Sequence, residues 1–305
     1  MPRQPPSAEP RVPSAEIAEI GMLFVALLWG ANFSANKFAL ESIPPVAFAA
    51  ARFVVASVLF FAVVRYVNPV PRIPWRTAWL LAGLGVIGNT AYQIAFMTGL
   101  VTTSAINASL ILASLPVVVA VLSTVLGVER ASGRLWFGIL VATAGVVLVV
   151  AAKGASFSLE TLRGDLLVLA ASFCWAAFTV GIRFVGKDSN PLRVAALTTY
   201  GGTPGLVLAS YPELRGLHWT RLSAGTWFAL GFSAVLAIVV AYIIWSYAVR
   251  AIGGSRTAIY NCITPVFAAA VAWVALGERL VLAQGIGAFL VFTGVFLSQR
   301  TSAPA

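Results

Sequence analysis

Long apolar stretches alternate with short polar gaps along nearly the whole chain. Apolar runs cover 17–38, 46–66, 75–98, 104–126, 135–151, 166–184, 192–211, 225–247, 257–276 and 281–298. A helix needs roughly 20 predominantly apolar residues to cross a bilayer, and these runs supply them end to end. The pattern predicts an all-α membrane protein of ten transmembrane helices with short connections and no soluble domain. Residues 1–16, rich in Pro, Ser and Glu, predict a disordered tail. They contain no basic region feeding directly into an apolar one, as a cleavable signal would require. Residues 300–305 form a second short tail.

One stretch comes back. Residues 116–145 read PVVVAVLSTVLGVERASGRLWFGILVATAG, and residues 265–294 read PVFAAAVAWVALGERLVLAQGIGAFLVFTG. Aligned without a gap, Pro116 meets Pro265, Glu129-Arg130 meet Glu278-Arg279, Gly138 meets Gly287 and Gly145 meets Gly294. Apolar matches arise by chance in any hydrophobic chain, but these polar and glycine landmarks in one register indicate an internal duplication. The copies occupy spans four–five and nine–ten, giving repeats at 17–152 and 163–299. Trp29 before Lys37-Phe38 matches Trp175 before Arg183-Phe184, and Ala91-Tyr92 matches Ala241-Tyr242. Five spans is an odd number, so the second repeat enters the membrane inverted. Inverted repeats around a midplane site are a recurring plan for secondary transporters.

Composition agrees with the pattern: 60% of residues are hydrophobic and 10% charged, against about a quarter charged in soluble domains. The net charge of +10 carries no nucleic-acid signal, because the basic residues sit between spans. With a cytoplasmic N-terminus, 13 Lys and Arg fall on the inner side, among them Arg65, Arg130, Arg183, Lys187, Arg250 and Arg256. Six fall outside: Lys37, Lys153, Arg163, Arg215, Arg221 and Arg279. The positive-inside rule then places both termini in the cytoplasm. Cys174 and Cys262 lie within apolar spans and predict packed, reduced thiols.

Five-plus-five spans, the LLWGANF element and two hairpins of the form Pro…Gly-x-Glu-Arg or Pro…Gly-Glu-Arg resemble the EamA family of the drug/metabolite transporter superfamily. Within it, the chain is most similar to bacterial exporters of aromatic amino acids. The resemblance implies ten helices around a central cavity lined mainly by spans one, three, four, six, eight and nine, with no cofactor or metal. It also implies a small-molecule substrate and lipid as the partners, and no nucleic acid. Oligomeric state stays open.

Helical phasing of the polar residues points to the same faces. Span one presents Trp29, Asn32 and Asn36; span three Asn89, Tyr92, Gln93 and Phe96; span four Thr103, Asn107 and Ser114. Span six presents Ser172, Trp175 and Thr179; span eight Tyr242, Trp245 and Ser246; span nine Thr257, Tyr260, Asn261 and Thr264. Hydrocarbon satisfies no amide, so such faces turn either to a hydrated cavity or to hydrogen bonds between helices. Spans two, five and ten are almost wholly apolar and read as lipid-facing or scaffold helices. The rings of Trp29, Trp175 and Trp245 either stack on a flat substrate or pack helices. Pro116 and Pro265 fall within spans four and nine, as hinges or static kinks. The run Gly201-Gly202-Thr203-Pro204-Gly205 breaks span seven.

No acidic residue sits in mid-span and the single histidine, His218, is in a loop. A proton-coupled pump would need such a group, so the expectation is facilitated export or exchange. Glu129 and Glu278 are expected to cap or pin their own hairpin turns. Lys37 and Arg52, near Glu41, either pair there, snorkel, or receive a substrate carboxylate. With no fixed charge among the cavity candidates, the lining suits a neutral or zwitterionic molecule with a large apolar body, such as an aromatic or large neutral amino acid. Alternatives are a proton-coupled carrier of other metabolites or drugs, a channel, and a membrane enzyme. The last is disfavoured because no acid–base, nucleophile or metal constellation stands out.

Overall fold

The computed structural model describes residues 14–66, 73–103, 108, 111–112, 114–151, 161–276 and 282–299, and every regular element among them is helical. In chain order these are α1 (Ala15–Ala39), α2 (Pro45–Tyr66), α3 (Trp75–Thr102), α4 (Leu115–Val125) and α5 (Gly133–Ala151). Next come α6 (Leu162–Val185), α7 (Pro191–Ala209), α8 (Ala224–Ile252), α9 (254–276) and α10 (Leu282–Gln299). A short helix, Tyr211–Gly216, and a 3-10 turn, Trp219–Arg221, join α7 to α8.

Helix starts follow local chemistry. Ser14 caps α1 by accepting from the Ile17 amide, and Asn190 caps α7 ahead of Pro191. A side-chain oxygen satisfies an otherwise free amide there, and proline has no amide to leave free. By length and composition, six helices among the described residues can cross a membrane (α1, α2, α3, α5, α6 and α8); α4 and α10 are shorter apolar helices. Phe61, Trp79, Phe228 and Phe289 are each more than two-thirds exposed, an outer surface suited to hydrocarbon rather than water.

Glycine lets the helices approach where apolar burial gives no drive, since lipid is as apolar as the side chains. A Cβ on Gly138 would lie 2.6 Å from the Gly294 oxygen, and one on Gly145 2.6 Å from the Gly287 oxygen. Numbers rise along α5 as they fall along α10, so the two helices pack antiparallel. The register that pairs Gly138 with Gly287 and Gly145 with Gly294 converts one contact into the other.

Two local expectations are corrected. The Gly201–Gly205 run does not break a helix: α7 is continuous through Pro204. Its glycines admit α3 instead, and a Cβ on Gly201 would lie 2.1 Å from the Ala82 oxygen. Nor do Pro116 and Pro265 bend continuous helices. Pro116 stands in the first turn of α4, after a turn at Ser114. Pro265 stands in the first turn of Thr264–Leu276, where α9 restarts after the 3-10 turn Tyr260–Ile263. A proline in a first turn removes no helical hydrogen bond. In addition, α3 and α8 each contain a π-helical stretch, Val86–Ala91 and Ser233–Val240. Tyr92 comes immediately after the first, and Ala241-Tyr242 after the second, so the duplicated tyrosines occupy equivalent places.

Candidate functional site

The helices enclose a cavity of about 350 Å3, and much of the expected lining is there. α1 contributes Trp29, Asn32 and Asn36; α3 contributes Tyr92, Gln93 and Phe96; α6 contributes Trp175. α8 contributes Tyr242, two residues past its π stretch, and α9 contributes Asn261, Thr264 and Pro265 at its break. A π-helix carries one residue more per turn and so re-aims the side chains beyond it, which is why such bulges recur at functional sites.

Trp175 holds the aromatic wall together. Its ring centroid lies 5.1 Å from Tyr92, 5.9 Å from Trp29, 5.7 Å from Tyr242 and 5.5 Å from Trp245. Trp29 is oriented by its Nε1, which donates to the Ala237 carbonyl at 3.0 Å, inside the π stretch. Tyr92 stacks on Phe96 with centroids 5.7 Å apart.

Other sequence candidates lie elsewhere. Asn89 is fully buried off the cavity, donating to the Thr198 carbonyl at 2.9 Å and fastening α3 to α7. Trp245 and Tyr260 are 1% exposed and are not among the lining residues. Ser172, Thr179 and Thr257 return their hydroxyls to carbonyls one turn back. Thr103 donates to Asp165 at the start of α6. Asn107, the side chain of Lys37 and the Glu278 turn lie outside the described residues.

The lining also draws on helices expected to be scaffold. α5 supplies Val146, Val149 and Val150, α10 supplies Gln284, and α2 supplies Arg52. Arg52 corrects the expectation of an uncharged cavity: it is 4% exposed and bonds no carboxylate among the described residues. Its Nη1 donates to Ser233 Oγ at 3.0 Å and Asn36 Oδ1 at 3.4 Å, and its Nη2 donates to Gln93 Oε1 at 2.9 Å. Ser233 in turn donates to Asn32 at 2.7 Å. One polar chain thus links α1, α2, α3 and α8 around a guanidinium. Glu41, its anticipated partner, is exposed.

At the other end the helices are clasped. Glu129, before α5, does not pin its own turn. It accepts from the Gly254 amide at 2.6 Å and the Ser255 amide at 3.1 Å, and pairs with Arg183 Nε at 3.3 Å. Arg183 also donates to the Val249 and Arg250 carbonyls. Gly253, at φ +87°, makes room, since a Cβ there would lie 2.6 Å from Glu129 Oε1. Glu19 and Arg256 pair at 2.7 Å between α1 and α9. On α1, α5 and α9 these contacts lie at or just before the N-terminal end, while the cavity residues come later. The cavity is displaced towards the end opposite the clasp.

The model of the EamA-like transporter family matches residues 16–151 and again 162–299. The uncharacterized transporter YyaM of Bacillus subtilis strain 168 is 29% identical, covering 90% of this chain and 91% of its own length. An uncharacterized transporter of Archaeoglobus fulgidus is 31% identical, covering 89% and 93%. A probable amino-acid metabolite efflux pump of Escherichia coli K12 is 29% identical, covering 90% and 92%. A crystal structure of a protein 18% identical superposes on 93% of this chain and 97% of that one with a TM-score of 0.79, which shows a common fold.

Proposed function

The chain belongs to the EamA-like transporter family and is a multi-pass membrane transporter, and on that premise we propose that it exports amino acids, aromatic or large neutral ones, and related small metabolites. It works by alternating access, with two inverted five-helix repeats forming ten spans in a bacterial inner membrane. The observation that carries the substrate class is the wall of Trp29, Tyr92, Trp175 and Tyr242 beside Asn32, Gln93 and Asn261. Rings take the apolar body of such a molecule, and amides replace the water around its polar end. The E. coli relative named as a probable amino-acid metabolite efflux pump is consistent with this class.

Support for the inverted repeat comes from the two matches of the family model and from the glycine contacts of α5 and α10, which exchange under the duplication. The breaks at Pro116 and Pro265 are equivalent in the repeats and act as hinges. The clasped end carries Arg183, Arg250 and Arg256, so the positive-inside rule makes it cytoplasmic. The cavity then faces outward. Among the described residues no Asp, Glu or His lines it, which favours facilitated export or exchange over proton coupling.

Purified protein in proteoliposomes loaded with phenylalanine should give saturable counterflow of labelled phenylalanine without an imposed pH gradient. Non-saturating flux would indicate a channel. Strict dependence on a pH gradient would overturn the coupling assignment, and absence of exchange for any large neutral amino acid would overturn the substrate class.

A further inference from the structure

Among the described residues, Arg52 is the one charged side chain on the cavity wall. It is 4% exposed, and its three hydrogen bonds all go to neutral acceptors on Asn36, Ser233 and Gln93. A guanidinium has five N–H donors, and Nε finds no partner. The Phe48 ring, 5.3 Å from the guanidinium carbon, adds a second neutral neighbour. A cation withdrawn from water is costly, and neutral dipoles offset only part of that cost. Merely tying four helices together would be served at lower cost by a neutral amide, or by a guanidinium matched with a carboxylate from the chain. Neither is present among the described residues, and there the positive charge on the wall has no counter-charge.

Resting on the reading of this cavity as the transport site, we propose that Arg52 is its anion subsite. The guanidinium receives a carboxylate of the substrate while Trp29, Tyr92, Trp175 and Tyr242 hold the apolar body. A carboxylate brings the missing charge into a low-dielectric site, where charge-assisted hydrogen bonds are strongest. The transporter therefore selects aromatic carboxylates, zwitterions included, over the same bodies carried as amines or amides. A cationic amphiphile meets like charge at the wall and is rejected.

Calorimetry on the purified protein tests this with matched probes: 3-phenylpropionate against 3-phenylpropionamide, and L-phenylalanine against phenethylamine. The native protein should bind each carboxylate about tenfold tighter or more than its counterpart. Arg52→Gln should bring each pair to near parity by weakening the carboxylates, and Arg52→Lys should keep part of the preference. Gln93→Glu supplies an internal counter-charge 2.9 Å from Nη2; it should likewise weaken the carboxylates and spare phenethylamine. It decides the matter alone if Arg52→Gln does not fold.

Variants with native melting temperature and unchanged preference would overturn the subsite, as would equal losses for all four probes. The two readings fail separately. Phenylalanine transport unaffected by Arg52→Gln would sink the subsite and leave the substrate class standing. Arg52-dependent binding of phenylpropionate without phenylalanine transport would do the reverse. No binding of any aromatic probe would overturn both.

Discussion

Tyr92 shows how single residues shape the cavity. Its ring stacks parallel to Phe96 and tilts against Trp175, so it completes the wall from the α3 side while remaining only partly buried. Replacing it with leucine keeps apolar volume but removes a ring worth roughly 0.5–1.5 kcal/mol per aromatic contact. Tyr92→Leu should therefore weaken phenylalanine transport about five- to tenfold and alanine transport by less, read as inhibition constants in proteoliposomes. Equal losses for both amino acids would mean that the ring does not touch substrate. At this scale the sequence is legible for most rings and most amides, Trp245 and Tyr260 being buried off the cavity, and misleading for hydroxyls. Ser172, Thr179 and Thr257 satisfy themselves on their own helices, which a short hydroxyl side chain can do. Asn89 shows that an amide, too, can be spent between helices. Arg52 is readable as a charge inside span two, but the sequence leaves pairing with Glu41, snorkelling and receipt of a substrate carboxylate open. Its partners come from three other helices, and no spacing along α2 encodes them.

At the scale of elements, the clasp on α9 stands out. Glu129 joins the segment before α5 to the start of α9 through two amides and Arg183. Hydrogen bonds to a charged group contribute on the order of 1.5–3 kcal/mol each. Glu129→Gln keeps the side-chain shape but loses the charge, and should shift the population towards states open at this end. Cys262, 1% exposed in the α9 break, reports that opening. In a Cys174→Ser background, its modification by N-ethylmaleimide should run at least about fivefold faster in the Glu129→Gln variant. An unchanged rate would make the clasp a static fastening. The duplicated Glu-Arg pair marks this turn in the sequence, but its target lies 125 residues away. The π stretches are hidden for another reason. They add one residue to a turn without altering composition, whereas proline and glycine announce themselves and still mislead. Pro116 and Pro265 begin helical segments, and Gly201 and Gly202 serve contact between helices rather than breaking one.

For the whole molecule, the apolar runs and the duplication make the membrane class and the family legible, because both rest on patterns that survive in one dimension. The state of the molecule is not legible there. The clasp and the displacement of the cavity away from it depend on contacts such as Glu19–Arg256, which join the first helix to the ninth. If the two halves alternate around one site, that site is reachable from one side at a time and substrate occupies it. Val149 lines the cavity near the end of α5 that is far from the clasp. The decisive measurement places a single cysteine there, with Cys174 and Cys262 replaced by serine. Its labelling by a membrane-impermeant maleimide is then monitored in right-side-out and inside-out vesicles. An outward-facing transport cavity gives fast labelling from the periplasmic side, slow labelling from the cytoplasmic side, and protection by phenylalanine that saturates with concentration. Equal labelling from both sides, or labelling that no amino acid slows, would contradict it.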